Sequence, residues 1–212
     1  MVKRHPNPHS DALSGDDEVG LAPDGDRDCP ARVVHLAHRR WTIPLLAQLH
    51  LARVSGDSTG ARSVGLTRRL GVGREALRQT VEFAIAHGWM VRNAGHGHPL
   101  RPDFVLTGSG RALAPACERV WRTAVLAGAT EPLARKWTAP LLRVLEAGPA
   151  RFGALKAALG PHGATDRAIS QALRMLTEGG WIVRRVVRDY PPRVEYGIAG
   201  RCRALASAIA RL

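Results

Sequence analysis

Apolar residues recur at helical spacing in several separate stretches of this chain. Between Pro30 and Leu51 they repeat every three or four residues, which predicts helix. Pro44 interrupts this stretch and predicts a break or a new helix near Thr42. Two more amphipathic segments, 61–70 and 74–87, follow on either side of a short glycine-containing turn. Two short helices around such a turn are typical of a helix-turn-helix.

The apolar spacing also predicts which side chains of this pair face inward. The longer segment carries Leu77, Val81 and Ala84 on one helical face. In the shorter segment, we expect Val64 and Leu70 to be buried.

Two strand-like runs, 89–93 and 101–107, come after the helix pair and enclose the loop 94–100. Their alternation and the polar loop between them predict a β-hairpin. A final amphipathic helix is expected over 111–126.

The same order of patterns occurs a second time in the chain. An opening helix is predicted to begin at Pro132, in its first turn. Thr165 stands directly before the second helix of the helix pair, where a threonine side chain is a good N-cap. The expected elements are helices 132–147, 151–159, 166–178 and 201–212 and strands 181–187 and 193–199.

The amino-acid sequence itself is repeated along with the pattern. RRWTIPLLAQL (39–49) returns as RKWTAPLLRVL (135–145), and LTGSGRAL (106–113) returns as IAGRCRAL (198–205). An internal repeat of this length predicts two copies of one small domain. We expect an acidic tail without fixed structure (1–28), a first domain (29–127) and a second domain (128–212). The predicted fold class is mainly α with small β-hairpins, arranged as tandem winged helix-turn-helix domains.

The charge of the chain is strongly basic and unevenly distributed. The first 28 residues hold three basic and seven acidic groups, whereas residues 29–212 hold 28 basic and 11 acidic groups, a net charge of +17. Nearly all of the positive charge is arginine, whose planar donors suit phosphate and guanine edges. The balance indicates a nucleic-acid partner; an arginine-rich surface that merely reflects genome composition is the alternative reading.

Five short motifs in the second copy occur in the order found in one family of regulators. They are Lys136-Trp137-Thr138, Arg151-Phe152 after a glycine, Ser170-Gln171-Ala172-Leu173, Gly180-Trp181 before a strand, and the segment 191–196, PPRVEY. This half resembles the HxlR-type winged-helix transcriptional regulators. The first copy matches less well, because HPLRPDF replaces PPRVEY and Ser63 stands where the family has phenylalanine. It does have the family's Cys-Pro, at Cys29-Pro30.

The resemblance implies a protein that binds double-stranded DNA. Family members bind palindromic operators as homodimers paired through their first and last helices, so two copies in one chain resemble a fused dimer. This predicts a pseudo-dimeric monomer whose helices 111–126 and 132–147 supply the interface and pack near the pseudo-two-fold axis. A true homodimer is the alternative. The resemblance leaves room for a small-molecule effector.

Exposed positions of the second helix in each helix-turn-helix are the candidates for reading bases in the major groove. Solvated helix faces are the alternative reading. The candidate base-reading residues are Arg74, Glu75, Arg78 and Gln79 in the first copy and Arg167, Ser170, Gln171 and Arg174 in the second. Candidate phosphate-binding residues on the two wings are Arg92, Arg101, Arg184, Arg185, Arg188 and Arg193.

The remaining tryptophans, cysteines and histidines are predicted to have structural roles, except for one candidate redox-sensing cysteine. The repeated tryptophans Trp41, Trp89, Trp137 and Trp181 are expected in the core. Trp121 has no repeat counterpart and is a candidate for lining a groove between the copies. By resemblance, Cys29 is a candidate redox sensor, with an inert thiol as the alternative. The histidines of the first wing and His162 lack the spacing of metal ligands, and no metal or cofactor is expected.

The chain has no pattern typical of an enzyme active site or of a membrane segment. No run of apolar residues is long enough to span a bilayer, and the polar N-terminus does not resemble a signal peptide. A cytoplasmic, non-enzymatic, sequence-specific DNA-binding regulator is therefore the favoured function. The alternative is a winged-helix scaffold used for small-molecule binding or catalysis in a biosynthetic pathway.

Overall fold

The computed structural model describes residues 30–57, 61–93, 103–188, 190 and 192–212. Cys29, Arg101, the acidic tail and the predicted loop of the first wing lie outside the described residues. The described part is mainly helical and contains two separate two-stranded antiparallel sheets.

The first half contains five helices and one hairpin. Its elements, in chain order, are α1 (Pro30–His38), α2 (Thr42–Val54), α3 (Ser63–Leu70), α4 (Arg74–Ala86), β1 (Met90–Asn93), β2 (Asp103–Leu106) and α5 (Gly108–Ala127).

The second half continues from a short linking helix and returns to the same order. Its elements are α6 (Thr130–Leu133), α7 (Thr138–Glu146), α8 (Phe152–Leu159), α9 (Asp166–Glu178), β3 (Ile182–Val187), β4 (Arg193–Ile198) and α10 (Arg203–Ile209). Turns of 3₁₀ helix precede α9 and α10, at Gly160–His162 and Gly200–Cys202. The predicted final helix 201–212 is therefore shorter and begins with a 3₁₀ turn.

The buried face of the first helix pair agrees with the prediction at one helix and differs at the other. On α4, Leu77, Val81 and Ala84 are all buried. On α3, Leu70 is buried, but Val64 is 78% exposed and Leu66 is buried instead. The prediction for Val64 is wrong because Leu66 and Leu70 lie one turn apart on the inward face, and Val64, two residues before Leu66, points to the other side.

The predicted helix 132–147 is wrong, because the structure divides it into α6 and α7. Pro140 is the third residue of α7, as Pro44 is the third residue of α2. A proline is best tolerated in the first turn of a helix, since it lacks the N–H that later positions must donate. Each of these two prolines therefore favours a helix start just before it, and the start of α7 corresponds to the one that the sequence predicts near Thr42 in the first copy.

Each hairpin continues the chain from the C-terminal end of its helix pair. Met90 pairs with Leu106 in the first sheet and Ile182 with Ile198 in the second. The glycines before them, Gly88 and Gly180, both have φ of 67°, a left-handed conformation that favours glycine. Both helix-to-strand turns therefore have the same backbone geometry.

Equivalent ion pairs hold the second strand of each hairpin to the start of the preceding short helix. Arg62 Nε lies 3.0 Å from Asp103 Oδ1, and Arg151 Nε lies 3.8 Å from Glu195 Oε1. An isolated antiparallel bridge lies beside each pair, Arg62 with Asp103 and Ala150 with Tyr196. Each wing is thus fixed to its own helix pair by backbone and by charge.

The two halves share one hydrophobic core. Their main mutual contacts join α1 to α7 and α5 to α10, and within the second half α10 also packs on α7. Buried side chains such as Leu36, Leu141 and Ile209 belong to this common core. Helices α5 and α7, which overlap the predicted helices 111–126 and 132–147, thus both contribute to the contacts between the halves, α5 through α10 and α7 through α1.

No helix among the described residues is long and apolar enough to cross a membrane.

Candidate nucleic-acid interface

Helix α9 presents a polar face whose candidate base-reading side chains are not bonded to the rest of the described chain. Thr165 caps it, its Oγ1 accepting a hydrogen bond from the Ala168 N–H at 3.2 Å. The apolar face is buried through residues that include Ile169 and Leu173. The opposite face carries the four candidate base-reading residues of this half. All are exposed, and none has a side-chain hydrogen bond or ion pair with a described residue: Arg167, Ser170, Gln171 and Arg174.

The one acidic side chain at the start of α9 is held by a neighbouring helix. Lys156 Nζ of α8 lies 2.9 Å from Asp166 Oδ2. This pairing offsets the negative charge beside the free arginines. Lys156 was not singled out from the sequence, because it lies in a different helix and only the packing of α8 on α9 brings it near.

Helix α4, at the same place in the first half, is arranged differently. Arg78 donates to Glu75 Oε2 at 2.8 Å through Nε and to Glu82 Oε1 at 2.7 Å through Nη1. The hydrogen bonds from Arg78, followed by that from Gln79, lower the pKa of Glu75 to about 2, and the two carboxylates raise the pKa of Arg78. The Arg78 guanidinium is therefore already occupied by carboxylates of its own helix.

Gln79 is also occupied at both ends of its amide. Its Nε2 donates to Glu75 Oε1 at 2.8 Å, and its Oε1 accepts from Arg39 Nη1 at 3.0 Å. Reading adenine requires both amide groups of a glutamine at once. Among the four candidates in the first half, Arg74 is the one that is exposed and has no described partner.

The two helices also differ in the charge at equivalent positions. Both have thirteen residues, and in both the residue before the helix has an extended backbone conformation. Counted from the first residue, Glu75 corresponds to Arg167 and Glu82 to Arg174. The first half thus carries carboxylates where the second carries guanidinium groups, and a carboxylate near DNA phosphate is unfavourable.

The wing of the second half adds further unpaired positive charge. Arg184, Arg185 and Arg188 are exposed and have no described partner. Arg193 differs, because its Nε lies 3.2 Å from Glu195 Oε1. In the first wing, Arg92 Nη2 is 3.9 Å from Glu82 Oε1.

A cluster of aromatic rings joins α1 to the C-terminal end of α4. The ring centroids of His38 and Phe83 are 5.4 Å apart and stacked, and those of Phe83 and His87 are 4.1 Å apart. Burial, followed by the charge of Lys136, lowers the pKa of His38. Within the described chain, no group of histidine, cysteine and acidic residues is arranged to hold a metal ion.

The cysteines that the structure describes are buried and poorly reactive. Burial raises the pKa of the Cys117 thiol far above its usual range and that of Cys202 to about 11. Few thiolates form at neutral pH under these conditions. Cys29, the candidate sensor, lies outside the described residues.

The tryptophans divide into buried and cavity-lining residues. Trp137 and Trp181 are buried, as predicted, and Trp89 packs partly buried against the core. Trp41 is only partly buried. It lines a cavity of about 250 Å³ together with Trp121, which is the groove position predicted for Trp121.

The order of the elements, with a free polar helix face and a basic hairpin beside it, defines a winged helix-turn-helix protein. Residues 133–212 match the model of the HxlR-like helix-turn-helix family. The chain therefore contains one HxlR-like helix-turn-helix domain, in its second half, and this match supports a DNA-binding transcriptional regulator.

Two solved structures are similar to part of the chain. One is diamide-treated YodB from B. subtilis, at 22% identity and a TM-score of 0.35, over 37% of this chain and 76% of that one. The other is described as a MarR-family transcriptional regulator from Enterococcus faecalis V583, at 31% identity and a TM-score of 0.37, over 42% of this chain and 78% of that one. No curated protein matches the chain.

Proposed function

We propose that this protein is a sequence-specific regulator of transcription whose principal DNA contact is the surface formed by α9 and the β3–β4 wing. The observation that carries the proposal is the free polar face of α9. Its arginine, serine and glutamine side chains already stand in solvent, so they reach base edges without first breaking an internal bond.

The charge beside this face favours DNA over a protein partner. Arg184, Arg185 and Arg188 of the wing have no carboxylate partner among the described residues. Guanidinium groups placed along a duplex gain affinity by releasing counterions from phosphates. In this account the wing supplies affinity and α9 supplies the sequence preference.

The first half, residues 29–127, is in our proposal a second winged-helix domain that has diverged. Its support is the repeated order of elements, the equivalent ion pairs at Arg62 and Arg151, and the equal φ of Gly88 and Gly180. Because Glu75 and Glu82 occupy the arginine positions of α9, we expect the recognition helix α4 to contribute less to affinity than α9.

We further propose that the chain acts as a pseudo-dimeric monomer. The last helices of the two halves, α5 and α10, pack on each other inside one chain. Pairing through last helices is what the family resemblance implies between two chains, so this contact supports an internally satisfied interface. A homodimer that presents four recognition helices is the competing arrangement.

A gel-shift or fluorescence anisotropy experiment on the protein's own upstream region tests the function. We expect binding to one fragment that survives an excess of random DNA and weakens as salt rises. The alternative, a scaffold used for small-molecule binding or catalysis, is favoured by the occupied side chains of α4. It predicts no preference among DNA fragments at any salt concentration.

A further inference from the structure

A cavity of about 250 Å³ lies where α1, α2, α5 and α6 meet. Its walls combine the rings of Trp41 and Trp121 with aliphatic side chains that include Leu36 and Leu133. Leu36 and Leu133 are buried, whereas the two tryptophans keep part of their surface accessible. Two accessible tryptophans in one concave site are suited to a flat, apolar ligand, because aromatic rings gain from stacked or edge-to-face contact.

Two arginine residues also line this cavity. Arg40 lies with its Cζ 4.8 Å from the ring centroid of Trp41, and Arg39 lines the same wall. One carboxylate is present as well, that of Glu131, which is held by Arg135 at 2.7 Å. The charge around the cavity is thus positive, and a ligand carboxylate would find bidentate donors there.

The cavity is small for a site of this kind. Sites for drug-sized ligands have volumes of roughly 300–1,000 Å³. The ligand is therefore limited to a single ring or to a fused pair of rings with a carboxylate.

The cavity is connected to the recognition helix of the first half through one side chain. Arg39, which lines the cavity, donates through Nη1 to Gln79 Oε1 of α4 at 3.0 Å. An arginine that turns toward a ligand carboxylate gives up this bond. The amide oxygen of Gln79 is then free for another partner.

We infer that this cavity binds a small aromatic carboxylate. The ligand carboxylate replaces Gln79 as the hydrogen-bond partner of Arg39, and this exchange changes how α4 contacts DNA. The coupling to DNA rests on the proposed function, whereas the binding of the ligand does not. Because coupling between two sites is reciprocal, DNA that engages Gln79 increases ligand affinity by the same factor as the ligand increases DNA affinity.

Isothermal titration with benzoate and indole-3-carboxylate, and with benzamide as an uncharged control, tests the binding site. We expect saturable binding of the carboxylates and at least about tenfold weaker binding of benzamide, as the loss of a charged hydrogen bond predicts. Trp121→Leu should also weaken binding. Absence of saturable heat for both carboxylates at millimolar concentration overturns the inference.

Two substitutions with opposite expected effects test the role of Arg39. Arg39→Gln should weaken carboxylate binding about tenfold or more. Gln79→Ala should tighten carboxylate binding, because the hydrogen bond between Arg39 and Gln79 no longer has to break. Arg53→Gln, which removes an exposed arginine of α2 outside this cavity, is the matched control and should leave the Kd unchanged. Thermal unfolding verifies that each variant is folded.

The effect on DNA binding is measured separately. In the unsubstituted protein, saturating carboxylate should change the affinity for the specific fragment, and this change should disappear in Gln79→Ala, which still binds the ligand. If the protein binds carboxylate but no DNA, the proposed function fails and the cavity assignment stands. If it binds DNA and the Kd for carboxylate is the same in Arg39→Gln, the inference is wrong and the proposed function stands.

Discussion

At the scale of single residues, helices α4 and α9 differ in what their polar side chains already contact. Arg78 and Gln79 of α4 are bound by Glu75, Glu82 and Arg39. The candidate base-reading residues of α9 have no such partners among the described residues. A side chain that must first be desolvated and released from an internal bond binds DNA less tightly, because this cost lowers the free energy gained on binding. Helix α9 is therefore better suited than α4 to reading bases.

Arg174→Ala should weaken binding to the specific fragment by about 1–3 kcal/mol and have little effect on random DNA, because a base contact discriminates and a phosphate contact does not. Fluorescence anisotropy on both DNAs measures the two affinities. Arg68→Ala, an exposed arginine on α3 outside the recognition helices, is the control. Equal losses on specific and random DNA for Arg174→Ala would show that Arg174 contacts phosphate only.

Neutralising the carboxylate equivalent to Arg174 should act in the opposite direction. Glu82→Gln removes a negative charge from α4 and weakens the hydrogen bond that Glu82 accepts from Arg78. We expect tighter DNA binding than in the unsubstituted protein, with a steeper dependence on salt. Weaker binding in the same anisotropy assay would mean that Glu82 itself contacts DNA.

The carboxylate of Glu75 should titrate near pH 2 in the folded protein, since its hydrogen bonds from Arg78 and Gln79 favour the charged form. A pKa lowered on folding contributes stability above the unfolded value of 4.5, and this contribution is lost as the pH falls from 4.5 toward 2. Side-chain NMR of the carboxyl carbon measures the pKa. A value near 4.5 would contradict the Glu75–Arg78–Gln79 contacts.

At the scale of elements, the sequence predicts the bounds of a helix best where the residues that set them are close in sequence. The bounds of α9 agree with the prediction, Asp166–Glu178, because Thr165 caps one end and glycines follow the other. The start of α7 was missed although Pro140 is a local signal. The Arg39–Gln79 bond joins residues forty positions apart and depends on how α1 and α2 pack near α4, which no local pattern contains.

A tight contact at the start of α5 gives an element-scale prediction. A Cβ added to Gly110 would lie 1.8 Å from the backbone oxygen of Trp89, whereas one added to Gly108 meets nothing within 4 Å. Gly110→Ala should therefore destabilise the protein by about 1–3 kcal/mol, as overpacking does. Gly108→Ala is the matched control and should be neutral or slightly stabilising. Urea denaturation compares the stability of the two variants. Equal denaturation midpoints would contradict the close approach of Gly110 to the backbone of Trp89.

At the scale of the whole molecule, the two halves form one core through α1 with α7 and α5 with α10. The repeat in the sequence predicts two similar units, whereas the choice of which helices pair between them depends on long-range packing that no local pattern contains. In our proposal this interface is satisfied inside one chain, so that one polypeptide presents two recognition helices.

Light scattering tests this arrangement. A mass of about 23 kDa at micromolar concentration agrees with a pseudo-dimeric monomer. Twice that mass would instead support a homodimer with four recognition helices, and the site on DNA would then be longer.

The salt dependence of binding to the upstream DNA, measured together with competition by random DNA, tests the central claim most directly. About eight phosphate contacts predict a slope of about −7 in a plot of log affinity against log salt concentration. We expect a steep negative slope and a retained preference for the specific fragment. A slope near zero, or no binding to any promoter fragment at about 50 mM salt, a concentration at which phosphate contacts are strong, would contradict a DNA-binding regulator.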